Sequence, residues 1–494
     1  MKFDRIYKKP AAIAVLLLFM ITSCNDWMTL MPEDELLKEN FWGKTEDVYS
    51  AMGAMYNAFR DASMENLIWG ELRADLMVIN DISPFQDYAR IAESNISPTN
   101  GAVSWRHYYK AINLANTLMY YDKEVFEIDE TFTKRMMDGV DAEALFIRSL
   151  SYFYLVRLWK DVPLVIEPTL SDTTDMFIPK SSEREVLNHV IKDLLKAKDM
   201  AYTTEFFGSN AEPGFRTGRA NKYAIMALLA DVYLWDEQYR LASDYCDSII
   251  ASGLYDLEPA DNWFSLYYPG NSKVESIFEI QYDDNLDYQE NPIYNDLIPL
   301  TGAAKIRSDM QQLTLLLSEQ DIRTCNPSSP RNPDPLRKYK SISIETGIPR
   351  SQNQRDANFL YYRYADITLI KAEALNELDD VSGANEWLRK TKERANLSHS
   401  PVDTKEDLRT AILEERAKEF LAEGKRWFDV LRVAKRNSFE QKQLIISMIL
   451  AGADIKQKPI LQAKVYDTLS YYLPIPEGDI RTNPNLIQNP YYDR

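Results

Sequence analysis

No stretch constrains the fold of this 494-residue chain more than Arg219 to Tyr255. Its first half places apolar residues at Ala224, Leu228, Val232 and Trp235, and its second half at Tyr239, Ala242, Cys246 and Ile249. Three-and-four spacing is the mark of amphipathic helices, because such positions recur on one face of a 3.6-residue turn. Asp236-Glu237-Gln238 between the halves reads as a turn. Ala230 and Ala242, twelve positions apart, are small enough to let helices approach closely. The pattern predicts an antiparallel helix pair whose apolar faces must be covered by neighbours.

A second stretch, Tyr361 to Leu397, repeats the arrangement, with Ala372 and Ala384 again twelve apart and Glu377 to Gly383 as the turn. This is the unit of a tetratricopeptide repeat, whose period is about 34 residues. Such units cannot bury their apolar faces alone, and about three or more must stack. The rest of the chain is therefore expected to supply further pairs. With 45% apolar residues, a sizeable core is available and a disordered chain is excluded.

The start reads as an export signal. Lys2, Arg5, Lys8 and Lys9 precede the apolar run Ala11 to Ile21, and Thr22-Ser23-Cys24 follows. That run is too short for a bilayer, which needs roughly 20 apolar residues. Ile21-Thr22-Ser23-Cys24 resembles a bacterial lipobox, which implies lipid on Cys24. No other stretch is long and apolar enough to cross a membrane. The formal charge is −18, and loss of the basic leader makes the mature chain more acidic still. Such a surface repels phosphate backbones, so nucleic acid is not an expected partner. Anionic polysaccharides are disfavoured likewise unless a local basic pocket intervenes. Cys246 lies on an apolar helix face and is expected to be a buried small hydrophobe rather than the disulfide partner of Cys325.

Taken in order, residues 44–62 predict a helix with Thr45 as N-cap and Val48, Met52, Met55 and Phe59 inward. Gly70 to Asn100 loses regular period and reads as a long loop, which in compact proteins is usually functional. Helices are predicted over Trp105–Tyr121, over Thr133–Trp159 with Pro163 beyond its end, and over Ser181–Tyr202 with Ser182 and Glu185 as a capping box. Past Tyr255 come an aromatic loop around Trp263 and a strand at Ser276–Ile280, then an irregular insertion from Tyr282 to Asp356. Helices resume from Tyr361 and include Glu440–Ala451. The proline-rich end from Tyr471 is expected to pack as an extended strap.

The order of these segments resembles the SusD-like (RagB/SusD) family of outer-membrane nutrient-binding lipoproteins. The resemblance rests on the lipobox, on D-A-E-A-L-F-I-R-S-L-S-Y-F-Y-L-V-R-L-W from Asp141 and on T-G-R-A-N-K-Y-A-I-M-A-L-L-A-D-V-Y-L from Thr217. Further support comes from E-S-I-F-E-I-Q-Y from Glu275, Y-R-Y-A-D-I-T-L-I-K-A-E-A-L-N-E from Tyr362, E-E-R-A-K-E-F-L-A-E-G-K-R-W-F-D-V-L-R from Glu414 and the closing L-P-I-P-E-G-D-I-R-T-N-P-N-L-I-Q-N-P. It implies a mostly α fold: a tetratricopeptide-repeat-like array of about four helix pairs carrying an irregular, loop-rich lobe with a few short strands. The expected organisation is a signal peptide (1–23), a lipid-anchored tether (24–43), an N-terminal region with repeat helices (44–255), a ligand-binding lobe (256–360), and C-terminal repeat helices with the tail (361–494). It also implies a cell-surface protein on the outer membrane that binds a glycan, or in some members a peptide, and hands it to a SusC-like TonB-dependent barrel without catalysis.

Two loops match places where that family builds its sugar platform. A sugar ring offers an apolar C–H face and a rim of hydroxyls, so its binder needs flat rings beside amides, carboxylates or guanidinium groups. The first loop supplies Asn80, Asp81, Phe85, Tyr88 and Arg90; the second supplies Trp263, Tyr288 and Tyr294 with Asn291 as polar partner. Neither a metal nor a cofactor is expected. His107, His189 and His399 are far apart, and the Asp283-x-Asn285-x-Asp287 start of a calcium loop meets Tyr288 and Tyr294 where glycine and glutamate are required. The dense charges from Glu414 to Arg432 are expected to hold helices together rather than form a catalytic dyad. Alternatives are a peptide-binding member of the same family or a lipid-anchored glycoside hydrolase with two loop carboxylates about 5–9.5 Å apart.

Overall fold

The helices predicted from apolar spacing are present in the computed structural model, which describes residues 41–80, 86–170, 177–203, 213–285, 289–299, 305–451, 453 and 456–493. The principal ones are α1 (Thr45–Arg60), α2 (Gln86–Ala92), α3 (Arg106–Ile128), α4 (Lys134–Trp159) and α5 (Glu183–Met200). They continue with α6 (Lys222–Trp235), α7 (Tyr239–Ile250), α8 (Tyr364–Glu377), α9 (Val381–Arg394), α10 (Lys405–Glu419) and α11 (Arg426–Phe439). The pairs α3–α4, α6–α7, α8–α9 and α10–α11 stack in sequence, with α5 bridging α4 to α6. This is a mostly α, tetratricopeptide-repeat-like array.

Residue by residue, the array forms for the reasons its spacing suggests. Ala230, Ala242, Ala372 and Ala384 are all fully buried at helix crossings, where a larger side chain would hold the backbones apart. Asn221 caps α6 by accepting hydrogen bonds from the Tyr223 and Ala224 N–H groups at 2.9 and 3.0 Å. The Ser182–Glu185 capping box is present at α5: the Ser182 hydroxyl accepts from Glu185 N–H, and the Glu185 carboxylate accepts from Ser182 N–H. Helix α4 is buried on every side along most of its length, as a helix at the centre of a stack must be. Cys246 and Cys325 are both buried and unpaired.

Three local expectations need correction. Thr45 is the first helical residue rather than the N-cap; its N–H and hydroxyl both donate to Asp129 at 2.7 Å, tying α1 to the α3–α4 turn. The segment from Gly70 is not simply loop, because a π-helical turn (Ile68–Leu72), strand β1 (Met77–Ile79) and α2 interrupt it. The tail is a strap only in part. The Leu473 N–H donates to Leu158 and the Trp159 indole to Pro474, both at 2.7 Å, but Glu477–Thr482 then forms a short helix.

The lobe between α7 and α8 is an insertion closed at its base. Strand β4 (Ser276–Ile280) pairs antiparallel with β6 (Phe359–Arg363), so the chain leaves and re-enters the array at one place. With that base closed, α7 packs directly on α8, and the Lys371 ammonium donates to Asp247 and Ser243 at 2.6 Å.

Gly70 lies in the π-helical turn against Gly424, the bend between α10 and α11, where φ is +74°. A β-carbon on Gly70 would stand 2.0 Å from the Gly424 carbonyl oxygen, and that backbone cannot yield. Gly70→Ala is expected to lower unfolding free energy by about 2 kcal/mol. Gly53→Ala, in exposed α1 with nothing within 4 Å, should raise it by about 0.5–1 kcal/mol. Urea denaturation of both variants checks the contrast; equal effects would mean the close approach is relieved elsewhere.

Candidate functional site

Strand β1 pairs antiparallel with β5 (Ile306–Ser308), in the register Met77↔Ser308, Val78↔Arg307 and Ile79↔Ile306. The Asn80 N–H extends the ladder by donating to the Lys305 carbonyl at 2.7 Å. This ribbon merges two loops, far apart in sequence, into one surface. Asn80 is exposed on it, and α2 beside it carries half-buried Tyr88 and exposed Arg90. The Arg90 guanidinium lies 3.7 Å from Asp87, whose carboxylate also accepts from the Gly101 N–H at 3.0 Å. Arg307 points outward from β5 between buried Ile306 and Ser308. On the lobe side, the Arg60 guanidinium of α1 donates to Gln289 at 3.2 Å. Asp81, Phe85 and Tyr288 lie outside the described residues, as does Cys24.

The other three predicted residues are elsewhere. Trp263, Asn291 and Tyr294 are buried, at 1%, 0% and 1% exposure, and none offers a face to a ligand. Trp263 packs edge-on against Tyr267, at 5.3 Å between centroids, in a small core with Leu266, Cys325 and Leu360. Tyr294 donates its hydroxyl to the Tyr339 carbonyl. The Asn291 side chain substitutes for backbone pairing: its amide donates to Ala357 at 2.8 Å, and its oxygen accepts from Ile293 N–H at 3.0 Å. The physical reason is that an irregular lobe must still bury something, and here aromatic rings and amides fill the interior. Arg307 was not among the residues singled out from the sequence; it is exposed in β5 between buried Ile306 and Ser308, a three-residue strand that leaves no sequence period to read.

The charge cluster around α10 is internal. Arg363 reaches Glu275 and Glu419 at 2.6 Å and Glu423 at 3.0 Å, all without exposure. Arg323 reaches Glu415 at 2.6 Å and Glu419 at 2.9 Å. Burial alone would raise the Glu423 carboxyl, but Arg363 and Lys338 hold it down to about 2. Arg416 pairs with Asp429 at 2.9 Å. Every acid here is matched by a cation inside the fold, so the cluster is scaffold.

A larger concavity of roughly 1130 Å³ shares no lining residue with the β1–β5 surface and lies between α3, the segment after β2 (Val162–Pro163) and the tail. Among the described residues no group of three or more His, Cys, Asp and Glu side chains could hold a metal ion. No described helix is long and apolar enough to cross a membrane.

Comparison with known proteins covers almost the same span as this architecture. Residues 234–492 match the model of the SusD family, and residues 33–234 match one described as starch-binding associating with outer membrane. SusD-like protein P38 of Formosa agariphila is 26% identical over 485 residues, covering 87% of this chain and 92% of the relative. SusD-like protein P2 of the same organism is also 26% identical, covering 98% and 99%. A SusD superfamily protein from Bacteroides thetaiotaomicron superposes with a TM-score of 0.70 at 22% identity, covering 91% and 99%. A laminarin-binding SusD-like protein superposes at 0.68 and 20% identity, covering 91% and 99%. With the stacked pairs, the inserted lobe and a family match over more than half its length, the chain belongs to the SusD family.

Proposed function

We propose that the protein captures an oligosaccharide on the β1–β5 surface and delivers it to a SusC-like TonB-dependent barrel, held at the outer membrane by lipid on Cys24, without catalysing a reaction. The observation that carries the reading is the ribbon itself. Its register puts exposed Asn80 and Arg307 on the same side of the ribbon, and α2 beside it carries half-buried Tyr88 and exposed Arg90, so a ring, an amide and two guanidinium groups are at hand for a hydroxyl-rimmed ligand. A starch-binding description for the N-terminal half and a laminarin-binding protein of the same fold support the ligand class. The outer-membrane association in that description supports the location.

A glycan panel applied to the chain from residue 24 tests it. Arg90→Ala and Arg307→Ala are each expected to weaken binding of the best glycan about tenfold, or ~1.4 kcal/mol. Both side chains are exposed, and the Arg90–Asp87 pair is worth at most about 1 kcal/mol, so melting temperature should hardly move. Binding to no glycan on the panel, or release of reducing sugar from a bound one, would end the reading.

A further inference from the structure

The large groove runs along α3. Its apolar walls come from Trp105 just before α3 and Tyr109 on it, Leu164 and Ile166 beyond β2, Phe177 before β3 (Lys180–Ser181), and Leu486 of the tail. Ile166 is 42% and Phe177 50% exposed, and large apolar side chains left open on facing walls mark a surface that something covers. Arg106 and Lys110, one turn apart on α3, stand exposed on its α3 side, Lys110 3.6 Å from Asp61, while Glu167 and Asp479 line the groove elsewhere.

The chain's own N-terminal segment has the matching chemistry and reach. At the far end of α3, Tyr121 stacks on Trp42 with centroids 4.9 Å apart, and exposed Tyr120 continues the face that carries Tyr109 and Asn113. At 1.5 Å per residue, Tyr109 is about 18 Å along the helix from Tyr121. The ten residues from Pro32 to Phe41 can span up to ~34 Å when extended. Before them the sequence reads Trp27-Met28-Thr29-Leu30-Met31, then Pro32-Glu33-Asp34-Glu35. An apolar run followed by three acids has the chemistry to suit apolar walls flanked on the α3 side by Arg106 and Lys110.

We propose that the groove is the docking site of segment Trp27–Met31, with Glu33 to Glu35 lying toward Lys110 and Arg106. The docking does not depend on the glycan reading. Its consequence for the membrane does rest on the proposed lipid. With Trp27 docked, only Asn25 and Asp26 separate Cys24 from the body, so the groove face lies against the bilayer instead of riding on a long leash.

Hydrogen exchange on the chain from residue 24, carrying Cys24→Ser, tests the docking. Amides of Trp27–Met31 are expected to exchange at least tenfold more slowly than in the same chain with Ile166→Asp and Phe177→Asp. Met28→Asp with Met31→Asp should abolish the slowing from the other side, and Arg106→Glu with Lys110→Glu should reduce it. Random-coil exchange at Trp27–Met31 in the unaltered chain, or slowing that survives Ile166→Asp and Phe177→Asp, overturns the proposal. Slowing confined to the groove walls that grows with protein concentration would assign the groove to a second copy and overturn it equally.

Discussion

Arg363→Met is expected to lower the unfolding free energy by about 4 kcal/mol, the scale of removing one partner from a buried ion pair. The guanidinium is fully buried and contacts Glu275, Glu419 and Glu423, while its backbone N–H caps α8 by donating to Asp366 at 3.0 Å. Methionine fills much of the space but leaves three carboxylates crowded without their central cation. The strand that carries Arg363 also closes the lobe, so the loss falls where β6, α8 and α10 meet. A urea-midpoint comparison measures it. Adding Glu423→Gln should recover part of the loss, because the pair is coupled and single effects do not add. A change under about 1 kcal/mol would mean that Arg394, which also reaches Glu275 and Glu419, takes over the site.

The second large effect is with pH: melting temperature is expected to peak near pH 5 and to fall toward pH 9. Burial pushes the Glu65 and Glu71 carboxyls up to about 8. It also raises Asp122, which faces Asp141 across α3 and α4. The folded protein thus holds protons that the unfolded chain releases above about pH 4. The stability these groups contribute is complete below that point and is lost as pH climbs through about 8, at about 1.4 kcal/mol per pH unit for each group in between. Glu423 and Asp429 act in the opposite direction. Burial would raise them, but their arginine partners hold both to about 2, so their contribution is present above about pH 4 and is lost as pH falls through 2. Glu71→Gln keeps an acceptor for the Gly424 and Lys425 N–H groups, now held at 2.8 and 3.1 Å, and should flatten the alkaline limb by one group's share. Melting temperature that climbs steadily from pH 5 to 8 would refute the assignment.

Helices were legible because burial in a stack is written into local spacing. Val48, Met52, Met55 and Phe59, or Ala224, Leu228, Val232 and Trp235, show their inward face within two or three turns. The lobe offers no such period. Whether Trp263 or Tyr294 faces solvent depends on β4 meeting β6 across the whole insertion, a pairing no local window records. The same rings on irregular backbone suit a ligand platform or a small aromatic core, and the structure chooses the core. Tyr88 and Arg90 were chosen from the family resemblance of their loop and from the chemistry of a ring and a guanidinium group. That Asn80 and Arg307 come side by side depends on β1 and β5, three-residue strands too short to announce themselves.

The β4–β6 seam has a further meaning for how such a surface can change over time. Since both ends of the lobe are stitched together where α7 meets α8, the stretches of the insertion between its further ties, at β5 and at Arg323, sit on the frame as loops. Doubling the length of a flexible loop costs only about 0.6 kcal/mol in closure entropy. Insertions there can reshape the outer surface of the lobe while the frame beneath stays as it is.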